Sequence, residues 1–171
     1  MRAAAGAVTV LLAALVQVTV VPLFPLGGAV ADAALLTLAG VALFMGPHAA
    51  MIALPALCLF LGFASDRSPG LLLIAYLPLL PLAGAVEEAR LPANRFVRLL
   101  LAVVVAGVWA RVVLSGSAFV QGAAFAPGPL LTDVVIPGLV LDAILLSLLY
   151  LPPRLAGWSP ESLTLRRMGR Y

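Results

Sequence analysis

Residues 62–70 read G-F-A-S-D-R-S-P-G and divide the chain into two apolar halves. Within this stretch, Asp66 and Arg67 are the first adjacent residues of opposite charge, and three hydrophobic segments lie on each side of them. Clusters of glycine, serine and proline between apolar runs are typical of turns. We therefore interpret the stretch as a charged turn at the edge of a membrane, between two buried segments.

The composition is that of an integral membrane protein. Of 171 residues, 64% are hydrophobic and 10% are charged, whereas soluble domains carry about 25% charged residues. The mean hydropathy is +1.18. A soluble fold of this composition would lack the polar side chains that face water. The length suits a single transmembrane domain over residues 1–171 and leaves no room for a second domain of useful size.

The charges and the cysteine count argue against two other classes of protein. The net charge is +3 and all ten basic residues are arginines, scattered around the ends of the apolar segments. Binding of nucleic acid would require a dense basic face. The single cysteine, Cys58, rules out an intrachain disulfide and a cysteine metal site, and His48 is the only histidine, which argues against a histidine metal site.

Six apolar segments predict an all-α, polytopic bundle of six transmembrane helices. Gly46-Pro47 separates the second segment from the third, Pro55 predicts a kink in the third, and Pro78 with Pro81 predicts a bend in the fourth. The second and third segments are shorter than the roughly 20 residues that cross a bilayer untilted, so one of them could be re-entrant. The first segment is long for a signal peptide and lacks a cleavage site. The approximate spans are residues 3–21, 30–45, 49–64, 71–86, 96–114 and 130–151, followed by a tail over 152–171.

The distribution of arginines predicts that both termini lie in the cytoplasm. With six spans in this orientation, only Arg67 and Arg111 fall on the outer side. An excess of basic residues in short cytoplasmic loops is the rule for membrane proteins. Five spans would separate the termini and remove the asymmetry, so six are favoured. The eight arginines on the cytoplasmic side are Arg2, Arg90, Arg95, Arg98, Arg154, Arg166, Arg167 and Arg170.

Polar side chains near or within the lipid are the candidate functional residues, because each is unfavourable there unless it faces protein, an opposite charge or water. They predict either an outward polar pocket that docks a partner or an internal network. Within such a network Arg111 could pair with Asp133, Asp32 or Asp66, and we prefer Asp66. The alternative is that each side chain snorkels separately towards the lipid head groups. The residues predicted in the outer third are Gln17, Asp32, Asp66, Arg67, Arg111 and Asp133.

Asp142 is a separate candidate because it lies near the middle of the last apolar run. An aspartate at mid-membrane depth is by default a hypothesis for a functional site. It could also be a structural residue that hydrogen-bonds between helices. The predicted topology places no basic residue at its depth, which favours the structural role.

The sequence contains none of the common motifs of enzymes. It has no phosphate-binding loop, no nucleophile elbow and no His-Glu-x-x-His. Glu87 and Glu88 are adjacent, so on a helix they point apart and do not form a catalytic pair. A membrane enzyme acting on lipid head groups would need a charged cluster in a cytoplasmic loop, where only Glu87, Glu88 and Arg90 are available. We predict a protein without catalytic residues, metal or cofactor.

The order of these features resembles the MreD family of rod shape-determining proteins, which are small bacterial membrane proteins. The resemblance covers Leu12 to Gly84, and the second half of the chain matches in hydropathy alone. The family usually has Pro-Asp where this chain has Ala31-Asp32. The matching features are L-V-Q-V-T-V-V-P at residues 15–22, the acidic Asp32 opening the second helix, Gly46 closing it, the run G-F-x-x-D-x-x-x-G over residues 62–70, and Tyr76.

The resemblance implies a non-catalytic component of the bacterial cell-elongation complex. Such a protein would lie in the cytoplasmic membrane, bind the bitopic protein MreC and support lateral peptidoglycan synthesis. A RodA-type polymerase and its transpeptidase, and MreB filaments indirectly, would be further partners. The outer polar residues and the connector at residues 115–129 would meet MreC, and the arginine-rich tail would face anionic lipid.

An alternative reading is the substrate-binding S component of an energy-coupling-factor vitamin transporter. These proteins are also six-helix bundles and are similar in fold to the MreD family. A transporter subunit would need aromatic and hydrogen-bonding side chains that converge on a dry pocket. The outer half of this chain is instead rich in alanine, leucine and glycine.

Overall fold

In a computed structural model, the chain can be described over residues 2–25, 29–88, 95–122 and 127–155. These ranges form six helical segments and contain no strand. In lipid every backbone N–H and C=O needs a partner within the protein, and a helix provides most of them internally. The predicted all-α class is therefore confirmed. The loop containing Arg90 and the tail from residue 156 onward lie outside the described ranges.

The first and last helical segments each contain a π-helical stretch, and the fourth is divided in two. Helix α1 is continued by the π-helical Val16–Val20 and the 3-10 turn Val21–Leu23. The π-helical Leu130–Val135 lies between α7 and α8. The helices are α1 (Arg2–Leu15), α2 (Ala33–Met45), α3 (Pro47–Ser65), α4 (Pro69–Tyr76), α5 (Leu79–Glu88), α6 (Arg95–Val120), α7 (Pro127–Pro129) and α8 (Ile136–Leu155).

Two of the predicted breaks are present. Gly46, with a φ of 96°, ends α2, and Pro47 then occupies the first turn of α3, where its missing N–H has no cost. The bend predicted near Pro78 is a two-residue turn between α4 and α5. Helix α3 is continuous through Pro55, and the kink expected there stays a prediction.

Residues 66–68 form a tight turn between α3 and α4, and the rest of the stretch at residues 62–70 belongs to the adjoining helix ends. Asp66 has a φ of 56°, in the left-handed region, where aspartate is better tolerated than most non-glycine residues. The N–H of Arg67 donates to the carbonyl of Gly62 across 3.2 Å. A Cβ on Gly62 would lie 2.7 Å from Cγ of Pro69. The turn therefore closes onto the helix only because position 62 has no side chain.

Helix α2 is the centre of the bundle. It packs against α1, α3, α6 and α8, and Met45 at its end is its only exposed residue. A helix that is apolar all round is expected to be buried on all sides. Other helices expose large apolar side chains, among them Ile52 and Phe63 of α3 and Leu148 of α8, as helices facing lipid would.

Within the described ranges, three helical stretches are long and apolar enough to cross a membrane: His48–Ser65, Phe96–Val120 and Leu130–Pro152. The other apolar helices, Val8–Leu23, Ala33–Met45 and Pro69–Ala85, are shorter. One predicted boundary is corrected. The fifth span was expected to end at Leu114, whereas α6 continues to Val120, so the predicted connector at residues 115–129 begins as helix. The apolar stretch Leu130–Pro152 coincides to within one residue with the last predicted span, residues 130–151, and the helical segment around it runs from Pro127 to Leu155.

Candidate functional site

The N-terminus of α2 lies inside the protein. Ala34 and Leu35 are fully buried, and Ala29 and Ala31 before the helix are at most 8% exposed. The first turn of a helix leaves backbone N–H groups that have no acceptor within the helix. Burying such a group without a partner costs about as much as a lost hydrogen bond. Side chains must therefore supply the acceptors.

Two aspartates satisfy the first and the last of these N–H groups. Asp32 is the N-cap residue, and its Oδ1 accepts from the N–H of Leu35 at 3.0 Å, as aspartate commonly does at this position. The N–H of Asp32 itself donates to Oδ1 of Asp142 at 2.7 Å. A carboxylate near a helix N-terminus also interacts favourably with the helix dipole. Asp142 is thus a second cap, supplied by α8.

Gln17 satisfies the two N–H groups in between. Its Oε1 accepts from the N–H of Ala33 at 2.6 Å and of Ala34 at 3.3 Å. Its Nε2 donates to the carbonyl of Ala31 at 3.4 Å. Gln17 lies in the π-helical stretch that follows α1. Together the three side chains provide an acceptor for every backbone N–H from residue 32 to residue 35.

Arg111 of α6 neutralises the second cap. Its Nη2 lies 2.7 Å from Oδ2 of Asp142, and the two side chains are 10% and 1% exposed. Nη1 of Arg111 also points at the carbonyl of Gly107, at 3.4 Å. Asp142 therefore uses one carboxylate oxygen for the helix cap and the other for the ion pair. A buried ion pair is tolerated when its remaining polar atoms are hydrogen-bonded in this way.

The guanidinium of Arg111 lies against α8 where that helix has no side chain. A Cβ on Gly138 would be 2.5 Å from Nη2 and 2.8 Å from Nε of Arg111. On α6, the helix of Arg111 itself, a Cβ on Gly107 would be 3.0 Å from Nη1 of Arg111. Gly138 therefore permits the close approach of α6 and α8 that the ion pair requires.

Tyr76 completes the network from α4. Its hydroxyl lies 3.1 Å from both carboxylate oxygens of Asp32, to which it donates, and the residue is 2% exposed. It is the last residue of α4, directly before the turn at Leu77 and Pro78. Tyr76 was not among the predicted site residues. The sequence feature that could have identified it is its position, as a tyrosine within an aliphatic run next to the proline at which the helix breaks.

The network contains four of the predicted site residues and excludes three. Gln17, Asp32, Arg111 and Asp142 come together, whereas Asp66, Arg67 and Asp133 are exposed. Asp133 lies in the second π-helical stretch and accepts from the hydroxyl of its neighbour Thr132 at 2.7 Å.

Two expectations about Arg111 and Asp142 were wrong. Arg111 pairs with Asp142 rather than with Asp66, and Asp142 therefore does have a basic residue at its depth. The reason is the length of α6. Since the helix ends at Val120, Arg111 lies nine residues, or about 14 Å at the usual helical rise, from that end. An end at Leu114 would have placed the guanidinium only one turn from the membrane surface.

The geometry is that of a structural clamp. The polar side chains hydrogen-bond with one another or with the backbone, and they join the π-helical stretch after α1 to α2, α4, α6 and α8. Within the described ranges, no group of three or more histidine, cysteine, aspartate or glutamate residues is placed to hold a metal ion. Comparisons with protein-family models, with curated proteins and with solved structures find no match.

Proposed function

We propose that the chain is an MreD-like, non-catalytic membrane component of the bacterial cell-elongation complex. In this role it binds MreC and supports lateral peptidoglycan synthesis and control of cell shape. One observation carries the proposal. Gln17, Asp32 and Tyr76, which the resemblance identified in three separate segments, meet at the N-terminus of α2. A resemblance made of scattered residues gains weight when those residues converge on the same helix end and satisfy its polar groups.

The other residues of the resemblance have backbone roles that support the same reading. Gly46 adopts a positive φ at the α2–α3 junction, Gly62 allows the close approach of Pro69, and Asp66 adopts the left-handed conformation that ends α3. On this proposal the shared residues specify the bundle. The surface that binds partners is then formed by other, exposed residues.

The proposed topology has six crossings of the cytoplasmic membrane and both termini in the cytoplasm. The excess of arginines on one side supports it, and so does the succession of six helical segments. Helix α2 has 13 residues, or about 20 Å of helix, so it crosses only part of the bilayer. Irregular backbone at that depth is tolerated where it is buried in protein, and Ala29 and Ala31 are so buried.

In this topology three exposed charges lie on the outer face. Asp66 and Arg67 follow α3, and Asp133 precedes α8. Charges at the rim of an interface mainly steer association and fix its orientation. We propose that they meet the extracytoplasmic domain of MreC, with the polymerase, the transpeptidase and MreB reached indirectly.

The vitamin-transporter alternative has less support. An S component would need polar groups free to bind a substrate in a dry pocket, whereas the polar side chains of this network bind one another. A shallow, largely open groove of about 400 Å³ lies on the surface of α8 and is lined by Val140, Ala143, Ile144, Ser147, Leu148 and Leu151. Such an aliphatic groove suits lipid or a helix better than a vitamin.

The test is co-purification of the tagged full-length chain with MreC from the same organism in mild detergent. We expect a complex with the native chain and less of it with the triple variant Asp66→Asn, Arg67→Gln, Asp133→Asn, which removes the three charges at exposed positions. Gln121→Ala, also exposed at the outer end of α6, is the matched control. Absence of MreC from the native preparation, with a transporter ATPase present instead, would overturn the proposal.

A further inference from the structure

Helix α8 is the least covered of the three long helices. In an 18-residue apolar window of Leu130–Pro152, 28% of the residues are buried, against 39% in the corresponding windows of His48–Ser65 and Phe96–Val120. Helix α8 packs on α6 and α2, and its groove side faces away from them. With less buried apolar surface, its position depends more strongly on specific polar contacts.

Asp142 joins α8 to two other helices through buried polar contacts. Asp142 accepts from the N–H of Asp32 and from Arg111, each at 2.7 Å. The guanidinium of Arg111 lies against Gly138, one turn earlier on the same helix. The contact that positions α8 is therefore also the contact that completes the N-terminus of α2.

We propose that α8 is a latch on the outer end of α2. When α8 is docked, Asp142 holds the N-terminus of α2 closed and residues 29–32 buried. When α8 moves away, Arg111 and the N–H of Asp32 lose their acceptor together, and that end of α2 opens. Coupling of this kind is reciprocal. A partner that binds and holds α8 would protect the start of α2, and disturbance of the start of α2 would loosen α8.

The sequence before α8 fits such a movement. The π-helical Leu130–Val135 directly precedes α8, and single π-helical turns inside helices are frequent at functional sites. Conversion of one such turn to α-helix would rotate α8 relative to α7 without breaking the segment. The latch does not depend on which partner the protein binds, so it can fail or hold independently of the proposed role in cell elongation.

Thiol labelling of the full-length chain in detergent micelles tests the latch. Ala31→Cys places a reporter beside the N-terminus of α2, and the native Cys58, 1% exposed in α3, reports opening of the whole bundle. Both thiols react with N-ethylmaleimide and are quantified separately by mass spectrometry after digestion. The Ala31→Cys chain is then combined with Asp142→Ala or with the milder substitution Asp142→Asn. Ser147→Ala is the control, because the Ser147 hydroxyl donates within α8, to the carbonyl of Ala143.

We expect Asp142→Ala to raise the labelling rate at position 31 by about tenfold or more, since it removes a buried hydrogen-bond acceptor and a counter-ion. Asp142→Asn keeps an oxygen for the N–H of Asp32 and should give a smaller rise. Labelling of Cys58 should rise much less than labelling at position 31 in either variant, because local opening needs less free energy than opening of the whole bundle. Ser147→Ala should behave as the native chain. Unchanged labelling at position 31, or equal acceleration at position 31 and Cys58 in both variants, would overturn the proposal.

Discussion

The backbone N–H of Asp32 donates to a carboxylate oxygen of Asp142 across 2.7 Å, although 110 positions separate the two residues in the sequence. Asp142 is therefore at once the cap of a distant helix and the counter-ion of Arg111. The first task needs only an acceptor oxygen, and the second needs a negative charge. Substitutions can separate the two tasks.

Removal of Asp142 should strongly destabilise the bundle. Asp142→Ala leaves the guanidinium of Arg111 buried without a counter-ion, which typically costs about 3–5 kcal/mol. We expect a large fall in the melting temperature of the detergent-solubilised protein. The melting temperature is measured by size-exclusion chromatography of samples heated to increasing temperatures. A melting temperature equal to that of the native chain would show that the ion pair is not buried as described.

Removal of the charges of both Arg111 and Asp142 should be tolerated better when position 142 keeps an acceptor oxygen for the N–H of Asp32. In the double variant Arg111→Met with Asp142→Asn, the asparagine oxygen can still accept from the N–H of Asp32. Arg111→Met with Asp142→Leu removes that acceptor, at a cost of about 1–3 kcal/mol. We expect the asparagine pair to melt at the higher temperature. Equal melting temperatures would contradict a capping role for Asp142.

A methyl group at position 138 should weaken the packing of α6 on α8. In Gly138→Ala the new Cβ would meet the guanidinium of Arg111 at 2.5 Å, and the ion pair prevents that side chain from moving freely. Overpacking of this kind costs about 1–3 kcal/mol.

The matched control is Gly116→Ala in α6, where a Cβ would find no atom within 4 Å. It should leave stability unchanged or raise it by up to about 1 kcal/mol, because alanine favours helix. Both are measured as shifts in melting temperature, and a greater loss with Gly116→Ala than with Gly138→Ala would contradict the close approach.

The hydroxyl of Tyr76 should contribute separately from its ring. Tyr76→Phe keeps the buried ring and removes the donor to Asp32, which should cost about 1–3 kcal/mol because a buried carboxylate loses a partner. Tyr76→Ala should cost more, about 3–5 kcal/mol, since it also leaves a cavity. The order of the two melting temperatures is the measurement. A phenylalanine variant as stable as the native chain would mean that Asp32 is satisfied without Tyr76.

Position 66 should respond to backbone conformation more than to charge. Asparagine and glycine tolerate the left-handed conformation, so Asp66→Asn and Asp66→Gly should leave stability nearly unchanged. Asp66→Ala should lose about 1 kcal/mol, since alanine is disfavoured there. Melting temperatures test this order. If Asp66→Asn alone is destabilising, the carboxylate has a role that its exposed position does not explain.

The sequence predicts the helix breaks well because these depend on local chemistry. The junction at Gly46 and Pro47 needs a glycine with positive φ and a proline in the first helical turn, and both residues are visible in the sequence. The turn at Leu77 and Pro78 is likewise visible in the sequence, as a proline within an apolar run. Apolar runs between such breaks can only be helices in lipid.

The pairing of Arg111 with Asp142 could not be predicted in the same way. It depends on where α6 ends and on the rotation of α8, which tertiary packing and the π-helical Leu130–Val135 determine. Counting from an assumed end at Leu114 placed Arg111 too near the surface. Asp66 was misjudged for a different reason: a charged residue in a turn suggests an ion pair, whereas its φ of 56° shows a backbone role.

The complete burial of α2 has a consequence for how the protein tolerates change. Helices α3 and α8 alternate covered and exposed positions, so their tolerance to substitution in a saturation mutagenesis scan should repeat about every 3.6 residues. From Ala34 to Leu43, α2 has no exposed side, and it should show a continuous band of intolerance without a period. Sequence variation that changes how the protein contacts its partners should therefore occur in the helices around α2, while α2 itself stays constant.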